Sequence, residues 1–277
     1  MRGGIFMLVA LNIENQLPKT FIEKLFNKVR GDKIVTEIKN VGGVALRDIT
    51  YLNSKGKINF DKLAFALGET KSVLCNEDVT LPEGFSRFEN REFKSLLSIN
   101  LGVYILKQIK KAGEDLPVGF YDPEGLYIEH LSRLSRFNDN LTVVTDNLEL
   151  YDEVCESIMY DSGAAVSVTD NRQRLSDCRL IVAPECVREP LATRGSAVIL
   201  SGEKPAVSLS GICYYEYSMR TPNTFTALKP PRFTAEYFSG ALYSLARQYE
   251  LGSVLPTSCS DRALSQTPAS LAKYLTG

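Results

Sequence analysis

Leu141-Thr142-Val143-Val144-Thr145-Asp146-Asn147 and Ala165-Val166-Ser167-Val168-Thr169-Asp170-Asn171 are two copies of one short pattern, 24 residues apart. Each is a run rich in β-branched residues that ends in Thr-Asp-Asn. Buried parallel strands read as near-continuous apolar runs, and they stop at polar loops that lead into helices. Between the copies, Leu148, Tyr151, Val154, Cys155, Ile158 and Met159 form an apolar stripe at helical spacing, which predicts a helix over 148–160. Strand, helix and strand make a βαβ unit, and sheets built from such units bind ligands at the carboxyl ends of their strands.

Working outward, Val118–Tyr121 reads as a strand before the loop Asp122-Pro123-Glu124-Gly125, and a helix is expected over Leu126–Phe137. Further strands are expected at Leu180–Ala183 and Ala197–Leu200. Alternating strands and helices argue for a parallel sheet with right-handed crossovers. About five strands are expected, in the order 3-2-1-4-5. Ala206–Tyr217, with Tyr214, Tyr215 and Tyr217, reads as a further strand pair or an extended segment.

Upstream, Ile5–Ile13, Ile34–Ile38, Leu46–Leu52 and Ser72–Cys75 read as strands. Phe21, Ile22, Leu25, Phe26 and Val29 lie on one helical face after Pro18, and Gly31 stops that helix. Asp61–Leu67 is helical. Asn90 is placed to cap a long helix that ends at Lys110, Lys111 and Gly113. Downstream, Ala235–Tyr249 is an amphipathic helix, residues 252–270 read as a Ser, Thr and Pro-rich loop, and a short helix is expected over Ala269–Leu275.

The fold class expected is therefore α/β with two domains, a small mixed α/β N-terminal domain and a Rossmann-like parallel-sheet domain. The boundaries expected are 1–88 for the first domain, 89–112 for a linking helix, 113–205 for the parallel sheet and 206–277 for a C-terminal extension with one long helix. The charge distribution agrees with that division. Residues 1–115 carry a net +4 and residues 116–277 a net −5, within an overall −1.

The composition excludes several function classes. With a formal net charge of −1, no global field recruits nucleic acid or anionic lipid. No apolar stretch approaches the roughly 20 residues of a membrane helix, and the short run Ile5–Leu11 lacks a cleavage pattern, so a cytoplasmic location is expected. The six cysteines form no C-x-x-C pair and no metal-ligand spacing. His130 is the single histidine, which weighs against zinc, Ser-His-Asp and Cys-His chemistry. No P-loop, kinase set, nucleophile elbow or EF-hand is present.

Residues 116–203 resemble a Rossmann-like domain in architecture. The resemblance rests on the first strand and helix, the second strand ending at Asp146, and the stretch Asp177-Cys178-Arg179-Leu180-Ile181-Val182-Ala183-Pro184. In dinucleotide-binding members an acidic residue at the end of the second strand hydrogen-bonds the ribose. Asp146, 21 residues after Gly125, matches that position. The first loop departs from the family pattern. Where G-x-G-x-x-G would bring amides to a pyrophosphate, Asp122-Pro123-Glu124-Gly125 keeps one glycine, lacks an amide donor at Pro123 and adds two carboxylates.

The candidate cofactor-contacting residues are Asp122, Glu124, Gly125, Asp146, Asp170 and Glu185, all at expected strand ends. Carboxylates there suit a cation such as magnesium or a ligand bearing hydroxyl or amine groups. Helix capping is the competing role for Asp146-Asn147 and Asp170-Asn171. His130 reads as a helix-surface or partly packed imidazole and Cys186 as a plain thiol, Arg172 and Arg174 as an anion contact or a solvated face, and the tyrosine cluster as a base-stacking surface or core. No catalytic residue, cofactor identity or oligomeric state is readable. The expected partner is a small molecule or nucleotide, in a cleft between the domains. Three classes stay open: a small-molecule or nucleotide-binding protein, an enzyme using a nucleotide-type cofactor, and a non-catalytic scaffold.

Overall fold

The computed structural model of the chain describes residues 6–16, 32–54, 56–261 and 263–276. The helix expected between Pro18 and Gly31 lies outside them. Among the described residues there are six α-helices: α1 (Phe60–Leu67), α2 (Arg91–Lys111), α3 (Leu131–Ser135), α4 (Leu148–Ser162), α5 (Ala235–Ser244) and α6 (Pro268–Thr276). The chain divides into two compact units. Met1–Asn90 with Thr221–Gln248 forms one, and Arg91–Arg220 with Tyr249–Gly277 forms the other.

In the first unit, β1 (Phe6–Asn15) pairs in parallel with β3 (Val44–Asn53), and β2 (Lys33–Val41) pairs antiparallel with the other side of β3. The sheet is therefore mixed, in the order β1-β3-β2. Val9, Leu11, Ile49 and Tyr51 pack with Leu63 and Leu67 of α1. β4 (Ser72–Val73) pairs in parallel with β5 (Ser86–Arg87). Thr234 caps α5 by accepting from the Tyr237 amide, and the Tyr237 hydroxyl donates to the carbonyl of Phe88. α5 stops well before Tyr249 because the backbone turns left-handed at Arg247, φ 54°. The Asn90 side chain does not cap α2. Its amide donates to Glu236, and its Oδ1 accepts no hydrogen bond.

The second unit holds a six-stranded sheet of β6 (Val118–Tyr121), β7 (Leu141–Val144), β8 (Val166–Thr169), β9 (Leu180–Ala183), β10 (Val198–Ser201) and β11 (Ile212–Tyr214). All neighbours are parallel, in the order β11-β10-β9-β6-β7-β8. Counted along the chain from β6, that order is 3-2-1-4-5-6, consistent with a Rossmann-like α/β fold. It has one strand more than expected, because Ile212–Tyr214 adds to β10. The chain runs outward from β6 through β7 to β8, then returns to lay β9 on the other side of β6. The carboxyl ends of β6 and β9 thus flank the point where the strand order reverses.

β6, β9 and β10 are buried along their whole length, as expected of central strands covered on both faces. α2 contacts β9, β10 and α6, and its apolar residues on several faces are buried by these neighbours. Residues 252–270 are not a plain loop. β13 (Ser258–Ser260) pairs antiparallel with β12 (Glu216–Ser218) and β14 (Ser265–Gln266). Tyr214 and Tyr217 are buried, and the Tyr217 hydroxyl donates to the Ser201 carbonyl, so these two rings are core.

Candidate functional site

The loop after β6 wraps around its own carboxylate. Asp122 is fully buried. Its carboxyl oxygens accept from the amides of Leu126 (3.0 Å) and Tyr127 (2.9 Å) and from the Tyr151 hydroxyl of α4. Burial raises the Asp122 pKa, and these hydrogen bonds oppose the rise. The loop amides that would face a phosphate in a dinucleotide site are therefore already taken by an anion of the chain itself. The first helix is shorter than the expected Leu126–Phe137: helical pairing starts with a 3₁₀ turn at Ile128–His130, and α3 spans five residues.

Gly125 serves this turn. Its φ is +72°, and a Cβ there would stand 3.0 Å from Leu150 Cδ1. The loop is also tied to the end of β7. The Asp146 amide donates to the Pro123 carbonyl at 3.0 Å, and the Asn147 side chain donates to the carbonyls of Pro123 and Glu124. The two segments that would flank an adenosine ribose are hydrogen-bonded directly to each other.

Glu185 follows β9 and is half-buried beside this loop. Burial, together with the charges of Asp122 and Glu124, pushes its carboxyl up to about 7, while the Glu124 amide and Arg188 pull it down. The Glu124 side chain is exposed, with Arg188 3.9 Å away. The floor is held by Ser95 of α2, whose hydroxyl donates to the Pro184 carbonyl at 2.6 Å and reaches Tyr127. Opposite Pro184, Gly202 closes the end of β10. A Cβ there would meet the Pro184 oxygen at 1.9 Å. Asp122, Glu124, Gly125 and Glu185 thus come together at the reversal point, with Tyr127, Ser95 and Arg188.

Asp146 and Asp170 lie apart from that group. Asp146 pairs with Arg172, its carboxyl oxygens accepting at 3.0 and 3.1 Å. Arg172 also pairs with Glu189 at 2.9 Å and touches the Tyr121 hydroxyl. The Asp170 side chain is exposed, and Asn171 caps the following 3₁₀ turn through the Gln173 amide. Asn147 makes no side-chain cap on α4. His130 is packed: its ring stacks on Tyr127, Arg133 stands 3.4 Å from Nδ1, and burial lowers its pKa. Cys186 contacts the Lys204 carbonyl.

Sequence reasoning missed Ser95, Tyr127, Tyr151 and Arg188. Tyr151 looks like any stripe residue of α4, and only its depth opposite Asp122 marks it. Among the described residues no group of three or more His, Cys, Asp or Glu is placed to hold a metal ion, and no helix is long and apolar enough to cross a membrane. Neither protein-family models nor curated proteins give a match to this chain.

Proposed function

We propose that this chain binds a small molecule at the carboxyl ends of β6 and β9, and that the ligand presents hydroxyl or amine donors rather than a pyrophosphate. The observation that carries this reading is the Asp122 carboxylate, which occupies the Leu126 and Tyr127 amides. An incoming phosphate would have to displace a buried, hydrogen-bonded anion and face Glu124 and Glu185 as well. A donor-bearing ligand meets instead the acceptor oxygens of Glu185 at the strand-order reversal, where open α/β sheets bind their ligands.

A second reading, an enzyme, is favoured by one observation. A carboxyl titrating at about 7 is matched to general acid–base work near neutral pH, and Glu185 is such a group.

A thermal-shift panel tests the proposal, with nucleosides, polyols, polyamines, NAD and ATP against the parent chain, Glu185→Gln and Asp146→Ala. A ligand at about 100 times its Kd stabilises the native state by about 2.7 kcal/mol. The expected result is a shift with a nucleoside, polyol or amine that Glu185→Gln abolishes and Asp146→Ala retains. A shift with NAD or ATP that survives Glu185→Gln, or a flat panel, overturns the proposal. Turnover of the bound ligand, lost in Glu185→Gln, would favour the enzyme.

A further inference from the structure

α4 is only partly used by the fold. Of its 15 residues, Tyr151 and Ile158 alone are buried. The apolar stripe expected to face the sheet is therefore incompletely covered. Leu148 and Met159 from that stripe are exposed, as are Leu150 and Tyr160, with Met159 at 66% and Tyr160 at 92%. The neighbouring edge strand β8 is also only half-buried, although parallel strands are ordinarily covered on both faces.

The same helix carries Glu149, Asp152, Glu153, Glu156 and Asp161, and no Lys or Arg. None of the five is in an ion pair among the described residues. Asp161 stands in the last turn, where the macrodipole is already negative and a cation is the stabilising neighbour. Two grooves run along the helix. One, about 620 Å³, lies between α4 and α3, with Val154 and Ile158 as apolar lining and Glu129, Glu153 and Asp161 as acidic lining. The other, about 320 Å³, lies toward β8 and is lined by Asp152, Cys155, Glu156 and Met159. Among the described residues Arg136 is the one cation lining either groove.

We propose that the outer face of α4, with the two grooves beside it, docks a basic amphipathic helix of a partner protein. Exposed apolar side chains call for a partner that buries them, and the charge decides which partner. A second copy of this chain set face to face would oppose two sets of five carboxylates, so self-association by this face is disfavoured. Nucleic acid and anionic membranes carry the same sign of charge as α4. A helix with Lys or Arg flanking Leu-type residues supplies both needs, its apolar side chains over Met159 and Val154 and its cations against Glu153 and Glu156.

The probe is a short synthetic peptide whose Leu and Lys residues segregate to opposite faces of a helix, titrated into the full chain. A scrambled peptide of the same composition is the control. The expected result is binding by the amphipathic peptide, with hydrogen-exchange protection confined to residues 128–136, α4 and β8. Affinity should fall at least about tenfold for the scrambled peptide and for Glu153→Lys/Glu156→Lys, and measurably for Met159→Ser/Tyr160→Ser. Far-UV circular dichroism and melting temperature confirm that each variant is folded. Equal binding of the scrambled peptide, no binding of the amphipathic one, or sedimentation showing a dimer with α4 protected would each overturn the proposal.

Discussion

The Tyr151 hydroxyl donates to Oδ2 of Asp122, joining α4 to the loop after β6 across 29 residues of sequence. Asp122 is thereby a buried carboxylate with three donors, and its work is to fold the loop. Replacing it by Ala leaves the Leu126 and Tyr127 amides and the Tyr151 hydroxyl without their acceptor. Asp122→Ala should cost about 3 kcal/mol or more, and Tyr151→Phe about 1–2 kcal/mol. Urea unfolding of both variants and of the double variant checks this. Full additivity of the two would contradict a direct coupling.

Glu185 sets a pH dependence with a definite sign. Its carboxyl titrates at about 7 in the folded chain against an ordinary value of 4.5. Between those values the native state holds a proton that the unfolded state has released, so stability falls as pH rises through that window. The burial of Asp122 acts with the same sign. The melting temperature should drop between about pH 5 and about pH 7.5, and Glu185→Gln should reduce the drop. A drop of equal size in that variant would assign the effect elsewhere.

Two glycines beside the candidate site should differ in cost. At Gly202 an added Cβ meets the Pro184 carbonyl oxygen, which is backbone fixed by β9 and cannot swing aside. At Gly125 the Cβ meets the tip of Leu150, and the main cost is the left-handed φ. Gly125→Ala should lose about 1–2 kcal/mol. Gly202→Ala should lose more, about 3 kcal/mol or above. Chemical denaturation of both variants gives the ranking, and equal losses would contradict it.

Asn100 is a further structural polar group. Buried in α2, it donates to the carbonyls of Gly252 and Val254 at 2.9 Å each and accepts from Arg133 at 2.6 Å. Asn100→Ala should cost about 2–3 kcal/mol. It should also raise hydrogen exchange in residues 249–254, which lose their anchor to α2. Unchanged exchange there would show that packing alone holds the segment.

Much of the parallel sheet was legible from local pattern. Val118–Tyr121 and Leu180–Ala183 match the observed limits of β6 and β9, and the two repeated runs contain β7 and β8, because short apolar or β-branched runs bounded by polar loops mark strands of a parallel sheet. The boundaries failed where a distant partner decides the local structure. Ala206–Tyr217, expected as a strand pair or an extended segment, holds Ile212–Tyr214 on the edge of β10, and Glu216–Ser218 pairs with β13 instead of with its neighbour in sequence. Residues 258–266 become strands because β12 lies beside them.

The sequence by itself determined the α/β class of this chain, its strand-end carboxylates and the absence of a G-x-G-x-x-G loop. These follow from residue type and short-range periodicity, which act through sterics and burial within a few residues. Tertiary structure alone decided what those carboxylates do. Asp122 turns inward to its own loop, Asp146 to Arg172, and Glu185 toward Asp122 and Glu124, because strands far apart in sequence end side by side at the reversal of the sheet. Likewise, the apolar stripe of α4 was plain in the sequence. That the sheet covers only part of it depends on β8 lying at the edge of the sheet, with no further strand beyond it among the described residues.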